Sequence, residues 1–152
     1  MKERSVTHST FVIERSYPAP VQRVFAAFSD PAKKRRWFAD GEGFQIKEFR
    51  MDFRVGGTEC ARFLMTDGRL CQNDTVYMDI VPDARIVIAY TMTLGDTRIS
   101  SSQATTEFLA TEKETKLIFT EQAAFFEGAD GPQMREAGWR QLLQQLAMEL
   151  ER

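Results

Sequence analysis

Residues 132–151, PQMREAGWRQLLQQLAMELE, carry the longest helical pattern in the chain. Their large apolar side chains recur at intervals of three and four residues, so they share one stripe of an α-helix. The stripe consists of Trp139, Leu142, Leu143, Leu146 and Leu150. Polar and charged side chains occupy the opposite face. The pattern predicts a long C-terminal helix that buries one face against another layer of structure.

The preceding part of the chain has the pattern of short strands. Apolar and polar residues alternate in runs that are separated by turn sequences such as Gly56-Gly57 and Asp67-Gly68. The predicted strands span residues 43–50, 57–66, 69–81, 85–93, 100–111 and 115–123. Strands joined in succession by tight turns indicate an antiparallel meander.

The N-terminal part adds one strand and two short helices. Residues 10–17 alternate as a strand, and the prolines that follow it end it. Residues 21–28 have apolar side chains at helical spacing. Asp30 is expected to cap a second short helix over residues 31–38.

These elements predict an α+β fold with one antiparallel sheet of six to seven strands. Such a sheet must bury one face, and the C-terminal helix is the only large partner that the sequence offers. A long sheet curved around one helix leaves space at the ends of that helix, and the two short helices are placed to close one end. The architecture therefore predicts a cavity between helix and sheet, a kind of site that binds apolar small molecules.

Four pieces of sequence carry a family resemblance through their order and spacing. They are APVQRVF at residues 19–25 with Asp30-Pro31 and Trp37-Phe38, DFRVGG at 52–57, Asp67-Gly68 with DIVPDARIV at 79–87, and TKLIFTEQ at 115–122 with Gly138-Trp139. Together they resemble the START-like superfamily, and within it the C-terminal domain of homologues of the heat-shock-protein-90 ATPase activator. The resemblance covers residues 10–150 and implies a helix-grip fold. Its members include lipid and hormone binders, polyketide cyclases and co-chaperones, so function must be argued from the site.

Composition and charge limit the possible partners. Hydrophobic residues make up 43% of the chain and charged residues 28%, as in ordinary globular domains. No apolar run approaches the roughly 18 residues of a membrane span, and the first ten residues lack the core of a signal peptide. We therefore expect a cytoplasmic protein with a flexible tail (residues 1–9) and one domain (10–152). The net charge of −2 argues against nucleic-acid binding.

The cysteines, Cys60 and Cys71, are expected to be free thiols. A two-residue turn at 67–68 would separate them by four positions along the hairpin, or roughly 13 Å. A disulfide needs Cα atoms within about 7 Å. The same register makes Arg62 and Asn73 direct cross-strand neighbours that satisfy each other.

Aromatic and apolar side chains from several elements are the candidates for lining the cavity. They are Trp37, Phe38, Tyr77, Tyr90, Phe108, Phe119, Trp139 and Leu143. Most of the aromatic residues must also build the core. Tyr77, Tyr90 and Trp139 each have a polar group that seeks a partner when buried, and they could orient a ligand. We expect a hydrophobic, lipid-like or aromatic ligand and no cofactor.

Two glutamates on strands, Glu121 and Glu107, are candidates for catalysis. A carboxyl group in an apolar cavity has a raised pKa and can act as an acid or base. The other interpretation, which strand alternation and general burial trends favour, is that both face water. An enzyme of the cyclase or hydrolase type, using one of them or Tyr90, is an alternative function. His8 is the one histidine and lies in the polar tail, so no catalytic triad or metal site is expected.

Two charged motifs have mainly structural interpretations. Asp52 and Arg54 are expected to hold, by a charge-assisted hydrogen bond, a turn that Gly56 and Gly57 allow. The basic run Lys33, Lys34, Arg35 and Arg36 predicts a solvated helix face. That run could instead contact an acidic protein, which would suit a co-chaperone-like module. The oligomeric state is left open between a monomer and a homodimer paired through an edge strand.

Overall fold

The computed structural model describes residues 5–128 and 131–152, which form seven strands and three helices. The strands are β1 (Val6–Tyr17), β2 (Phe44–Met51), β3 (Thr58–Met65), β4 (Leu70–Val81), β5 (Arg85–Leu94), β6 (Thr97–Ala110) and β7 (Thr115–Phe126). The helices are α1 (Val21–Ser29), α2 (Pro31–Phe38) and α3 (Pro132–Leu150). None of these helices is long and apolar enough to cross a membrane.

The strands form one antiparallel sheet in the order β1-β7-β6-β5-β4-β3-β2. Strands β2 to β7 pair in sequence as a meander, and β1 joins the far edge by pairing with β7. The sheet is curved, and α3 lies on it. This arrangement confirms the predicted α+β helix-grip fold and its seven strands.

The helix α3 buries the stripe that its sequence predicts. Trp139, Leu143, Leu146 and Leu150 are buried in the same core as residues of β1, β6 and β7. The phenolic hydroxyl of Tyr17 in β1 donates a hydrogen bond to the carbonyl oxygen of Leu143 at 2.9 Å. The edge of the sheet formed by β1 is therefore held against the middle of α3.

Strand β1 begins at Val6, within the segment predicted to be a flexible tail. That prediction is wrong for residues 6–9, because β7 continues to Phe126 and offers them a partner strand. His8 is paired opposite Ala124 and is exposed. Residues 1–4 of the predicted tail lie outside the described residues.

The β3–β4 hairpin is shifted by one residue from the predicted register. Its turn has three residues rather than two, with Gly68 at φ +88° and the amide of Met65 donating to the carbonyl of Arg69. Arg62 is consequently opposite Gln72, so the predicted Arg62–Asn73 pairing is wrong, and the guanidinium binds Asp74 at 2.9 Å instead. Cys60 and Cys71 are not joined to each other in a disulfide, as expected.

The short helices close one end of α3. Asp30 caps α2 by accepting hydrogen bonds from the amides of Ala32 and Lys33 at 2.9 and 3.3 Å, as predicted. The indole of Trp37 donates to the carbonyl of Ala27 at 2.8 Å, which joins α2 to α1. The amide of Gln145 in α3 donates to the carbonyl of Trp37 at 2.6 Å. These contacts fix α2 beside the C-terminal half of α3.

The turn between β2 and β3 has the ion pair and the close approach that its sequence suggests. Arg54 Nε lies 2.7 Å from Asp52 Oδ2. A Cβ atom at Gly57 would lie 2.1 Å from the carbonyl oxygen of Asp52, so a side chain does not fit there. The backbone of Gly56 and Gly57 also exchanges hydrogen bonds with Tyr77 in β4. The turn thus fastens the β2–β3 connection to the next strand.

Replacement of Gly57 tests this close approach. Gly57→Ala should lower the free energy of unfolding by about 2–3 kcal/mol, because backbone must move to admit the methyl group. The matched control is Gly56→Ala, which has open space around its Cβ and costs only the strain of its φ of +82°, about 1 kcal/mol. Urea unfolding measures both. A Gly57 variant no less stable than the Gly56 variant would contradict the packing described.

Candidate functional site

A cavity of about 500 Å³ lies between α3 and the strands β3, β4 and β5. Its walls are mainly apolar. They include Phe63 from β3, Met92 and Leu94 from β5, and Trp139 and Leu142 from α3. The loop after α2 and Met134 near the start of α3 also contribute, and Met134 is exposed. A cavity therefore exists between helix and sheet, where the architecture predicted one.

Three of the eight predicted cavity residues line this space: Phe38, Tyr90 and Trp139. Phe38 comes from α2, Tyr90 from the middle of β5 and Trp139 from α3. The ring centroids of Phe38 and Trp139 are 6.1 Å apart. The cavity lining therefore includes residues of the short helices, the sheet and α3.

The other five predicted residues belong to the core. Trp37, Tyr77 and Phe119 surround a separate void of only about 20 Å³, which is little more than the space of one water molecule. Phe108 packs edge-on against two rings of α1, and Leu143 is fully buried. Neither contacts either space. The sequence could not separate these positions, because core and cavity walls share the same periodicity.

Several lining residues were not predicted. Met92 and Leu94 follow Tyr90 at two-residue spacing on β5, so strand alternation could have identified them. Arg135 precedes Trp139 by four residues and lies on the same stripe of α3. Its charge suggested a solvent-exposed position, whereas the structure buries it.

A cluster of buried polar side chains forms the inner end of one cavity wall. Tyr90 donates its hydroxyl hydrogen to Glu121 Oε1 at 2.5 Å. The same hydroxyl oxygen accepts hydrogen bonds from Arg135 Nη1 at 3.0 Å and from Trp139 Nε1 at 3.2 Å. Arg135 Nη1 also lies 3.2 Å from Glu121 Oε2. The predicted polar groups of Tyr90 and Trp139 are therefore occupied within the protein.

Two serines of β6 complete this cluster. Ser102 donates to Glu121 Oε2 at 3.3 Å, and Ser100 accepts from Arg135 Nη2 at 2.7 Å. We call Tyr90, Ser100, Ser102, Glu121, Arg135 and Trp139 the Glu121–Arg135 cluster. It draws on β5, β6, β7 and α3, so it forms only when the helix lies on the sheet.

Burial raises the pKa of Glu121 above its ordinary value, and the hydrogen bond from Tyr90 and the charge of Arg135 oppose that rise only in part. Burial and the neighbouring carboxylate also raise the pKa of Tyr90. Glu121 is fully buried and does not line the cavity, because Tyr90 and Arg135 stand between. Tyr90 and Arg135, and not Glu121, are therefore the members of this ion-paired group that line the cavity.

Glu107, the other candidate acid, faces solvent. It is exposed on β6, with Arg85 and Ile118 as its neighbours across the strands. Its parity on β6 is opposite to that of the buried Phe108. It is therefore remote from the cavity, and the alternative of a second acid–base group there is wrong.

The basic run of α2 does not form one uniform solvated face. Lys34 is only 6% exposed, lies 2.7 Å from Glu59 of β3, and sits over the ring of Phe38. Tyr77 donates its hydroxyl to the same carboxylate. Arg36 makes three hydrogen bonds to Glu149 of α3. The surface predicted for an acidic partner is thus reduced, because Lys34 is unavailable and Arg36 is paired.

Metal-binding side chains are not grouped in the described part of the chain. Among residues 5–128 and 131–152, no three His, Cys, Asp or Glu side chains lie close enough together to hold a metal ion.

Removing the amine of Lys34 tests how much its ion pair with the buried Glu59 stabilises the fold. Lys34→Met is expected to lower the free energy of unfolding at neutral pH by about 3–5 kcal/mol, because a buried carboxylate loses its counter-ion. The neighbouring Arg35→Met is the control: Arg35 is exposed, and the change should stay within about 0.5 kcal/mol. Equal effects of the two substitutions would refute the buried pair.

The raised pKa of Glu121 predicts how stability depends on pH. The folded protein keeps this proton to a higher pH than the unfolded chain, whose glutamates titrate near about 4.3. As the pH rises from about 4 through the raised pKa, ionisation should therefore favour the unfolded state. Glu121→Gln cannot ionise, so the unfolding free energy of the unmodified protein relative to this variant should fall over that window. Chemical denaturation at a series of pH values measures the difference, and a rising or flat difference would contradict the burial argument.

Comparison with known proteins identifies the family. The profile of the family described as activator of Hsp90 ATPase homolog 1-like protein (AHSA1) matches residues 18–151. An uncharacterised protein from Rhizobium leguminosarum is 46% identical, with a TM-score of 0.95 and 99% of each chain covered. Mll3558 from Rhizobium loti is 49% identical, with a TM-score of 0.89 and coverage of 95% of this chain and 99% of that one. A comparison with functionally curated proteins gave no match.

A protein of much lower sequence identity has a similar fold. The AHSA1-like protein from Aeromonas hydrophila is 21% identical, with a TM-score of 0.71 and coverage of 94% of this chain and 92% of that one. At that identity the likeness concerns the fold alone. Together with the profile match over nearly the whole chain, it confirms the resemblance seen in the sequence. The chain belongs to the AHSA1 family, and its fold is the helix-grip fold of the START-like superfamily.

Proposed function

We propose that this protein binds a hydrophobic small molecule in the cavity between α3 and the sheet. The observation that carries the proposal is the cavity of about 500 Å³ with mainly apolar walls. Its volume falls within the range of about 300–1,000 Å³ that is usual for sites of small ligands. Burial of apolar ligand surface against these walls would provide the main driving force for binding.

Gly138 of α3 supports the proposal because its lack of a side chain leaves part of the cavity unfilled. It lines the cavity in the interior of α3, and a Cβ atom at this position would meet nothing within 4 Å. Glycine in a helix interior costs about 0.5–1 kcal/mol relative to alanine. Packing does not require this glycine, whereas an occupant of the cavity would benefit from the space it leaves.

The side chains of the walls suit an occupant of variable shape. Met65, Met92 and Met134 all line the cavity. Their unbranched and polarisable side chains adapt to differently shaped apolar partners. Phe44 and Phe63 pack edge-to-face at the same site, with ring centroids 5.0 Å apart. Aromatic and methionine walls favour ring-containing or lipid-like molecules.

Filling the space beside Gly138 tests this function. The probe is prodan, an uncharged naphthalene dye whose emission shifts to the blue in apolar surroundings. We expect the unmodified protein to bind it and Gly138→Phe to lower the affinity at least tenfold, because the added ring occupies the cavity. The matched control is Met148→Phe, which adds a ring at an exposed position of the same helix that does not line the cavity.

Fluorescence titration measures all three proteins, and circular dichroism checks that α3 remains folded. Binding lost in Gly138→Phe but kept in Met148→Phe supports the cavity as the site. Two results contradict the proposal: no blue shift with the unmodified protein, or equal affinity in both variants.

A further inference from the structure

We infer that the ligand of this cavity is uncharged and carries a hydroxyl group, which Asn73 binds. This inference rests on the proposed function and adds the chemical class of the ligand. Its evidence is one buried side-chain oxygen on the cavity wall that lacks a hydrogen-bond partner, together with a lining cation that is already paired.

Asn73 lies on β4 and lines the cavity. Its strand neighbours are Ala61 on β3 and Met92 on β5, which place apolar side chains on both sides. The side-chain oxygen, Oδ1, is buried and has no hydrogen-bond partner within the described residues. A buried acceptor left unpaired costs about 1–3 kcal/mol, so a ligand that pairs with it once the amide turns toward the cavity gains affinity.

A hydroxyl group matches this amide in either orientation. Half a turn about the last side-chain bond of Asn73 exchanges Oδ1 and Nδ2, so the side chain can present an acceptor or a donor to the cavity. A hydroxyl both donates and accepts, whereas an ether or ketone only accepts. A hydroxyl therefore satisfies the amide without requiring one fixed orientation.

The charges at the cavity disfavour an ionic ligand. Arg135 is the one cation among the described lining residues, and it already donates to Glu121, Tyr90, Ser100 and Ser102. The opposite charge of Glu121 lies 3.2 Å from it. Glu42, an exposed residue among those lining the cavity, adds a negative charge that would repel an anion. An ion taken from water into these walls would lose hydration without gaining an available counter-ion.

Three molecules with the same ring system test whether the cavity prefers a purely apolar, a hydroxyl-bearing or an anionic ligand. They are naphthalene, 2-naphthol and 2-naphthoate. Isothermal titration calorimetry at neutral pH measures the affinity of each for the intact protein. We expect 2-naphthol to bind about tenfold more tightly than naphthalene, because it gains one hydrogen bond to a buried group. We expect 2-naphthoate to bind at least tenfold more weakly than 2-naphthol.

Asn73→Leu assigns the preference to the amide. This variant keeps a similar volume and removes an unpaired buried polar group, so it should remain folded. Its preference for 2-naphthol should disappear or reverse, since the hydroxyl would lose water without gaining a partner. The matched control is Gln72→Leu, which removes the amide of the adjacent residue on β4, lies outside the cavity lining and should keep the tenfold preference.

The outcomes distinguish this inference from the function on which it rests. Equal binding of naphthalene and 2-naphthol, tighter binding of 2-naphthoate, or an unchanged preference in Asn73→Leu would overturn the inference and leave the cavity as an apolar site. Failure of all three molecules to bind, together with no binding of prodan, would overturn the proposed function as well. The comparison of the three ligands on the unmodified protein remains decisive even if the Asn73 variant does not fold.

Discussion

The indole ring of Trp139 packs against Phe119 of the sheet with ring centroids 4.2 Å apart, and against Phe38 of α2 at 6.1 Å. Its Nε1–H group donates to the hydroxyl of Tyr90 in β5. One side chain of α3 thus contacts the sheet, the short helices and the buried polar cluster. Because Trp139 also lines the cavity, the contact that holds the helix on the sheet also sets the shape of the space beside it. Fold and candidate site therefore depend on the same packing.

The Glu121–Arg135 cluster shows how charged groups are tolerated beside an apolar cavity. Burying a carboxylate and a guanidinium is costly, and their mutual attraction offsets that cost only when further hydrogen bonds satisfy the remaining atoms. Tyr90 and the serines of β6 provide those hydrogen bonds. The result is a wall that contains ions but presents little net charge to the cavity.

The elements could be predicted from the sequence because their patterns are local. Alternation along β2 to β7 and the stripe of α3 identified the fold class, and Asp30 identified the start of α2. The register of the β3–β4 hairpin was missed because a two- and a three-residue turn share the same Asp67-Gly68 signal. The extension of β1 to Val6 was missed because its polar residues become a strand only when β7 pairs with them.

The buried charges could not be predicted, since their partners are far away in sequence. Arg135 and Lys34 lie on helices whose patterns favour solvent exposure for a charged residue. Each is buried because the fold brings a glutamate to it, Glu121 from β7 and Glu59 from β3. Glu121 has the parity of the buried Leu117 and Phe119, so the favoured expectation that it faces water was wrong, and its ion pair could not be predicted from the sequence. Distinguishing cavity from core likewise required the packing of complete side chains.

The binding of an apolar molecule in the cavity is tested most directly by methyl NMR on protein labelled at its methionine methyl groups. Met65 and Met92 line the cavity, whereas Met78 and Met148 are exposed elsewhere. With prodan added, we expect intermolecular nuclear Overhauser effects from the dye to the methyl groups of Met65 and Met92, and none to those of Met78 and Met148. Contacts confined to Met78 or Met148, or no contact at Met92, would contradict it.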